Sequence, residues 1–316
     1  MEKSININVH VAEYRGFCAG VERAIEMVEK SLKKYGSPVY VRHEIVHNKY
    51  VVQSLKAKGV IFVETLLDIP KNTKAPVIFS AHGVSKEVIS AAKDLNLFHL
   101  DATCPLVSKI HRELEILEKE GYKIVMIGHR YHPEVIGTIG QAKDKSNVIL
   151  IEDKSDVEKL QLKKNQKIAY VTQTTLSIYD TKEIVKTIKE KYPNIVEPKK
   201  SDICYATSNR QLSVQELSKK VDCFYIIGAY NSSNSVRLVE TAKMFGCKNA
   251  ELVQNIDDFD FKKVSKYKEI GLTASASAPE ELIKKFINQL KLHFNIKLND
   301  QKIPENIKFK VPNYLN

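Results

Sequence analysis

Cys18, Cys104 and Cys204 occupy equivalent places in the chain, in GFCAGVERAIEMVEKSL, DATCPLVSKIHRELEIL and DICYATSNRQLSVQELSKK. An apolar or mixed run leads to each cysteine and a helical pattern leaves it. They lie 86 and 100 residues apart, as expected for one cysteine per unit of a threefold internal repeat. If the units meet about a common axis, three thiolates converge there, and such a triad is a metal or cluster site first. Three is one short of the four that enclose a 4Fe–4S cluster, which leaves one iron open to a substrate hydroxyl. Structural zinc asks for paired cysteines with a short spacer, and the sequence has none. Cys223 and Cys247 fall outside the repeated place and read as small buried hydrophobes.

Other reactive side chains follow the same phase. A polar cluster comes 28 or 29 residues after each cysteine: His47 in HEIVHN, His132 in HRYHPE and Ser232 in NSSNS. A second comes after 64, 70 and 73 residues: His82 in FSAHG, Thr174 in VTQTT and Ser277 in SASAP. His47 and His82 can present positive or hydrogen-bonding edges to an anion, and Ser232, Ser233, Asn234 and Ser277 add neutral donors. That set suits a diphosphate, although no P-loop or Rossmann fingerprint is present. Glu134 lies two residues beyond His132, and a carboxyl held near a cluster and a histidine can act as a general acid. A solitary histidine is more often solvated or in a core, and His10, His99, His111 and His293 are read so. His43 and His129 stay open. His47, His82 and His132 are set apart by their phase.

Side chains that repeat in this way need elements that repeat with them. The strands PVYVR, KIVMIG and CFYIIG precede the first clusters. The strands VIFVE, VILIE and AELVQ come next. VIFSAHG, KIAYVTQTT and EIGLTASASAP run into the second clusters. Strand alternates with helix throughout, the pattern of parallel sheets covered by helices. Ligands in such folds bind at the carboxyl ends of strands, where every cluster falls. A cysteine at a strand-to-helix junction also meets the positive helix terminus, which favours thiolate. After Cys18, the residues Val21, Ala24, Ile25, Val28 and Leu32 form one apolar stripe. After Cys104, Leu106, Val107, Ile110, Leu114 and Leu117 do so, with Pro105 in the first turn. After Cys204 the pattern (Leu212, Val214, Leu217) is irregular. The expected organisation is three α/β units. Residues 1–104 carry the N-terminal strand and Cys18, 105–200 are opened by Cys104, and 201–290 carry Cys204. A tail, 291–316, packs back on the core, with IKFKVPNYL as its candidate strand.

Composition fits a soluble enzyme. The chain has 316 residues, 28% of them charged, and no apolar run approaches the length of a membrane span. MEKSININVH lacks the pattern of a secretory or transit peptide and reads as a strand. Five cysteines without close pairs do not suggest a disulfide framework, so a reducing cytoplasm is expected. The net charge of +11 is explained most simply by lysines spread over solvated faces, and alternatively by a basic surface for an acidic partner. No zinc knuckle, RNP-like motif or basic run with interleaved aromatics points to nucleic acid.

RGFCAGV, VRHEIVHN, FSAHGVS, DATCPLV, HPEV, VTQTTLS, DICYATSNRQ, NSSNS and ASASAP, in this order, resemble the 4-hydroxy-3-methylbut-2-enyl diphosphate reductase family over roughly residues 7 to 312. The resemblance implies a three-domain cloverleaf around a 4Fe–4S cluster held by Cys18, Cys104 and Cys204. It also implies a diphosphate site of His47, His82, Ser232, Ser233, Asn234 and Ser277, and proton delivery by Glu134 with His132 and Thr174. Arg130–Tyr131 and Ser275 depart from the family's usual pattern without replacing a functional residue. The implied reaction is a reductive dehydroxylation giving isopentenyl and dimethylallyl diphosphate, the terminal step of the methylerythritol phosphate route. Electrons would come from a ferredoxin or flavodoxin, since no nicotinamide or flavin motif is present. Two other classes remain: a cluster-dependent hydro-lyase on a small anionic substrate, which needs no reductant, and a cluster-bearing sensor or nucleic-acid binder.

Overall fold

The computed structural model describes residues 5–163 and 165–315, so the first four residues of the expected N-terminal strand lie outside the described residues. The chain begins β1 (Asn6–Val11), α1 (Ala19–Tyr35), β2 (Val39–Arg42), α2 (Lys49–Ala57), β3 (Val60–Val63), β4 (Val77–Phe79), α3 (Lys86–Asp94) and β5 (His99–Asp101). It continues α4 (Pro105–Lys119), β6 (Lys123–Ile127), α5 (Pro133–Ile139), β7 (Val148–Ile151), α6 (Lys154–Lys159), β8 (Ile168–Thr172) and α7 (Ile178–Lys191). It ends α8 (Tyr205–Ser218), β9 (Cys223–Ile227), α9 (Ser233–Met244), β10 (Asn249–Val253), β11 (Glu269–Ala274), α10 (Glu280–His293) and β12 (Asn295–Asp300).

The strands form three sheets among the described residues, ordered β3-β2-β4-β5, β7-β6-β8 and β10-β9-β11-β1-β12. Every strand pairing within them is parallel. The fold is thus α/β, and the repeat is visible in it. In each sheet the first strand of the repeat lies between the second and the third. A further strand position flanks the third strand: β5 beside β4, β1 beside β11, and a single parallel bridge, Ala169 to Val196, beside β8. These flanking segments are the ones that run on into Cys104, Cys18 and Cys204.

The chain divides into two compact units. One comprises Met1–Ala19, His47–Val51 and Tyr205–Lys308, and holds the β10-β9-β11-β1-β12 sheet. The other comprises Gly20–Val46, Val52–Cys204 and Phe309–Asn316, and holds the remaining two sheets. The N-terminal strand, expected from the sequence to belong to the first repeat, instead pairs with β11 and β12. The repeat is cyclically shifted along the chain, so the flanking strand of the last sheet is drawn from the beginning. The tail's strand is β12; IKFKVPNYL has no regular structure until a 3-10 turn at Asn313–Leu315.

Strands buried on both faces read as continuous apolar runs, and β6, β8 and β9 do so. In the first unit Val9, Tyr225, Leu272 and Phe286 lie in one core closed by α10. Burying each such side chain contributes about 1.5–3 kcal/mol. The buried face of α1 is Val21, Ala24, Met27, Val28 and Ser31, slightly rotated from the expected stripe, and Ile25 and Leu32 are only half-buried. On α4 the buried residues are Val107, Ile110, Leu114 and Leu117, with Pro105 at its start. The irregular pattern of α8 has a physical cause: its buried face is polar and includes Thr207, Arg210 and Gln211.

Candidate active site

The three cysteines have equivalent backbone anchors. Cys104 donates its N–H to Ala81 O at 3.0 Å, Cys204 to Thr174 O at 3.1 Å, and Cys18 to Ala276 O at 3.2 Å. Each acceptor lies two residues past the end of the third strand, after β4, β8 and β11 respectively. The acceptor residues are held in turn through their own N–H groups. Ala81 donates to Ile45 O at 3.2 Å, Thr174 to Glu134 Oε1 at 2.6 Å, and Ala276 to Asn234 Oδ1 at 2.9 Å. Glu134 and Asn234 are both the second residue of their helices, α5 and α9. A carboxyl and an amide therefore fill one structural slot. By the same measure His82, Thr175 and Ser277 share the next slot, and Thr174 lies one residue earlier than the sequence phase placed it.

The first unit carries Cys18, His47, Ser232, Ser233, Asn234 and Ser277. Ser277 Oγ donates to His47 O at 3.0 Å, tying the second cluster to the first. The Asn231 amide lies 3.4 Å from His47 Nδ1. An amide nitrogen cannot accept, so Nδ1 accepts and the imidazole proton is assigned to Nε2. Ser232 caps α9, its Oγ accepting from Ser235 N, and Ser233 opens the helix. Asn234 is only 3% exposed, and its Nδ2 has no hydrogen-bond partner among the described residues. A buried donor in that condition costs free energy unless a ligand satisfies it.

The second unit carries Cys104, Cys204, His82, His132, Glu134 and Thr174. His82 and His132 meet edge to face, with ring centroids 5.7 Å apart. His132 caps α5, its Nδ1 accepting from Glu134 N at 3.2 Å, so its proton too is assigned to Nε2. Glu134 is 2% exposed, and Thr174 Oγ1 donates to its Oε2 at 2.8 Å. Burial pushes the Glu134 carboxyl up to about 7. The two Thr174 bonds oppose that rise and the nearby Asp202 charge adds to it. A carboxyl so placed can give or take a proton near neutrality.

Residues 9–291 match the family described as LytB protein. The chain belongs to the LytB family. Relatives include 4-hydroxy-3-methylbut-2-enyl diphosphate reductase 1 of Bradyrhizobium diazoefficiens, 52% identical over 94% of this chain and 92% of that one. Reductase 2 of Rhodopseudomonas palustris is 53% identical over 95% of this chain and 94% of its own. Among solved structures, the E-1-hydroxy-2-methyl-but-2-enyl-4-diphosphate reductase of Plasmodium falciparum matches with a TM-score of 0.92 at 38% identity, over 98% of this chain and 97% of that chain. A second solved reductase, described as the terminal enzyme of the non-mevalonate pathway, matches at 0.64 and 32% identity, over 90% and 99%. This LytB chain is accordingly an enzyme, an oxidoreductase. No helix among its described residues is long and apolar enough to cross a membrane.

The LytB chain also holds polar residues that sequence reasoning passed over. Gln173 is fully buried, accepts from His129 N at 3.0 Å and donates to Thr175 Oγ1 at 2.8 Å. Asp202 is buried, accepts from Thr172 N at 3.0 Å and pairs with Lys109 Nζ at 3.0 Å. Its pKa is raised by burial against the pull of Lys109. A charge two residues before a cysteine, in a stretch bound for the interior, was the available signal. His111, by contrast, was read from the sequence as a solvated or core histidine, and burial pushes its pKa down to about 4.

Proposed function

We propose that this chain reduces 4-hydroxy-3-methylbut-2-enyl diphosphate to isopentenyl and dimethylallyl diphosphate, using a 4Fe–4S cluster held by Cys18, Cys104 and Cys204. The observation that carries the reading is the backbone of Thr174. Its N–H binds the buried, near-neutral Glu134 carboxyl, and its C=O accepts from Cys204 N–H, so one residue joins a proton donor to a cluster ligand.

The residues present fit such a group. Among the described residues, no three His, Cys, Asp or Glu side chains stand close enough to hold a single metal ion. A cluster does not ask for that, because each thiolate binds its own iron. What it asks for is three reduced, reachable thiols on fixed backbone. All three cysteines are outside any disulfide and half-buried, with matched N–H anchors. When bound, a cluster with three protein thiolates supplies electrons and one open coordination position.

The chain's own groups do the rest. His47, His82, Ser232, Ser233, Asn234 and Ser277 bind the diphosphate; the buried Asn234 Nδ2 and the Nε2–H of His47 are donors suited to its oxygens. Thr174 and His132 orient the substrate hydroxyl beside Glu134. Glu134 protonates that hydroxyl as the allylic C–O bond breaks, and water leaves. Two electrons and a second proton then form the new C–H bond. A ferredoxin or flavodoxin supplies the electrons. The test is anaerobic purification, iron and sulfide analysis, and an assay with reduced viologen and the hydroxylated diphosphate. Turnover that consumes reductant supports the reading; conversion without reductant would make the chain a hydro-lyase instead.

A further inference from the structure

A cation stands five or six residues after each cysteine: Arg23, Lys109 and Arg210. None of the three donates to the residues leading into its own cysteine, although Arg210 Nη1 also donates to Ala206 O at 2.9 Å within its own helix. Arg23, on α1 after Cys18, donates from Nη1 to Thr103 O at 3.1 Å and Ala102 O at 3.4 Å, the two residues before Cys104. Lys109, on α4 after Cys104, donates to Lys200 O at 3.2 Å and Asp202 Oδ1 at 3.0 Å, just before Cys204. Arg210, on α8 after Cys204, donates from Nη2 to Gly16 O at 2.8 Å and Phe17 O at 3.4 Å, the two residues before Cys18. The pattern is cyclic: each cysteine's helix carries the cation that holds the approach to the next.

Each cation is itself held. Arg210 is fully buried, and Glu305 accepts from its Nη1 at 3.1 Å and from its Nη2 at 3.0 Å. Arg23 Nε donates to Lys310 O at 3.0 Å, and Lys109 Nζ lies 3.6 Å from Glu113, one helical turn on. Two of the three supports thus come from the C-terminal tail. The Cys18 loop shows what the clamp adds. Gly16, at φ +76, donates to Ala274 O, and Ala19 donates to the Tyr205 hydroxyl at 3.2 Å. With Cys18 on Ala276 O and Arg210 on the carbonyls, four consecutive residues are each fixed by a hydrogen bond. Loop carbonyls outside the strands and helices are here satisfied by a charged donor, which makes a stronger bond than a neutral one.

We propose that Arg23, Lys109 and Arg210 are positioning residues that form a cyclic clamp, fixing the loops of Cys104, Cys204 and Cys18 respectively. The proposal rests on the three cysteines being the cluster's ligands, and it assigns each cation to the ligand that comes after its own around the repeat.

The assignment is testable by site-resolved alkylation of the full-length chain, stripped of iron, with peptide mass spectrometry reading each thiol separately. Arg23→Met should accelerate modification of Cys104, and Lys109→Met that of Cys204. Glu305→Gln, which withdraws the support of Arg210 without removing it, should accelerate that of Cys18. Each effect should be about ten- to hundredfold, the scale of losing a charge-assisted hydrogen bond from a local opening equilibrium. The other two loop cysteines, and the buried Cys223 and Cys247, should stay near their wild-type rates. Iron release to a ferrous chelator from the anaerobically reconstituted variants should rise in parallel. A general loosening of the fold would raise all five rates together, and acceleration of a cation's own helix cysteine would reverse the assignment; either result overturns the clamp. Failure of the wild-type chain to take up iron would sink the cluster reading instead, while the alkylation pattern would still decide the clamp.

Discussion

The proposed reaction asks Glu134 to be an acid while buried, and the two demands agree. Burial raises its pKa to about 7 from 4.5, so near neutrality a large share of the carboxyl holds its proton. The same shift is a stability statement. A raised folded-state pKa contributes stability that is complete below about 4.5 and is lost as pH rises through about 7. Glu134→Gln keeps the shape and cannot ionise. Its melting temperature should therefore match the wild type near pH 4 and exceed it increasingly up to about pH 7, remaining level above that. Turnover should fall by about 100- to 10,000-fold, the usual worth of general acid catalysis. A residue that merely supported the loop would lose stability and turnover together, so opposite movements are the signature sought. Asn234 gives a second residue-level test. Asn234→Asp keeps an acceptor for the Ala276 N–H but puts a charge where Nδ2 was. Diphosphate affinity, measured by calorimetry, should fall by about one to two decades. Unchanged affinity would remove Asn234 from the anion site.

At the scale of the element, the strands and the helices after Cys18 and Cys104 were legible because apolar periodicity and cysteine phase agree. The helix after Cys204 was not, since its buried face carries the polar Thr207, Arg210 and Gln211, and Arg210 is spent on backbone carbonyls rather than on packing. Counting from cysteines also misjudged Thr174 by one place, because the elements between cysteine and third strand differ in length, whereas strand ends fix the slot. The turn after β4 was legible only as HG. Gly83 sits at φ +82, and a Cβ there would meet His111 Cε1 at 2.7 Å and Thr103 Cγ2 at 3.2 Å. Gly83→Ala should therefore displace the adjacent His82. It combines a left-handed conformation, about 1–2 kcal/mol, with a steric clash. A melting temperature several degrees lower and weaker diphosphate binding are expected, by scanning calorimetry and titration. Adding His111→Ala should cost less in the Gly83→Ala background than in the wild type, because the two changes share one contact. Strict additivity would place the strain elsewhere.

Across the whole molecule, the feature hidden from the sequence was the cyclic shift. Order along the chain groups the N-terminal strand with the first repeat, yet β1 completes the sheet built by the last third of the chain. The shift explains how cysteines at residues 18, 104 and 204 are equivalent although one precedes its sheet and two come after theirs. Each arrives from the segment flanking a third strand, and each rests its N–H on the equivalent loop carbonyl of its own sheet. Equivalence of this kind predicts equal consequences. Cys18→Ser, Cys104→Ser and Cys204→Ser should each lose cluster iron after anaerobic reconstitution, because serine is a poor substitute for a thiolate ligand. Cys223 lies in β9 with its thiol donating to Asn249 O at 3.0 Å, and burial pushes its pKa up to about 12. Cys223 sits inside a strand, away from the repeated strand-to-helix position, with its thiol engaged by Asn249 O, so Cys223→Ser should keep wild-type iron and sulfide. It should still destabilise the chain, since a hydroxyl replaces a buried sulfur in the core of that sheet. Iron content and melting temperature must therefore part company: three variants short of iron, and one with full iron but a lower melting temperature. Loss of iron from Cys223→Ser in a folded chain, or retention in any of the first three, would break the equivalence on which the three-ligand assignment depends.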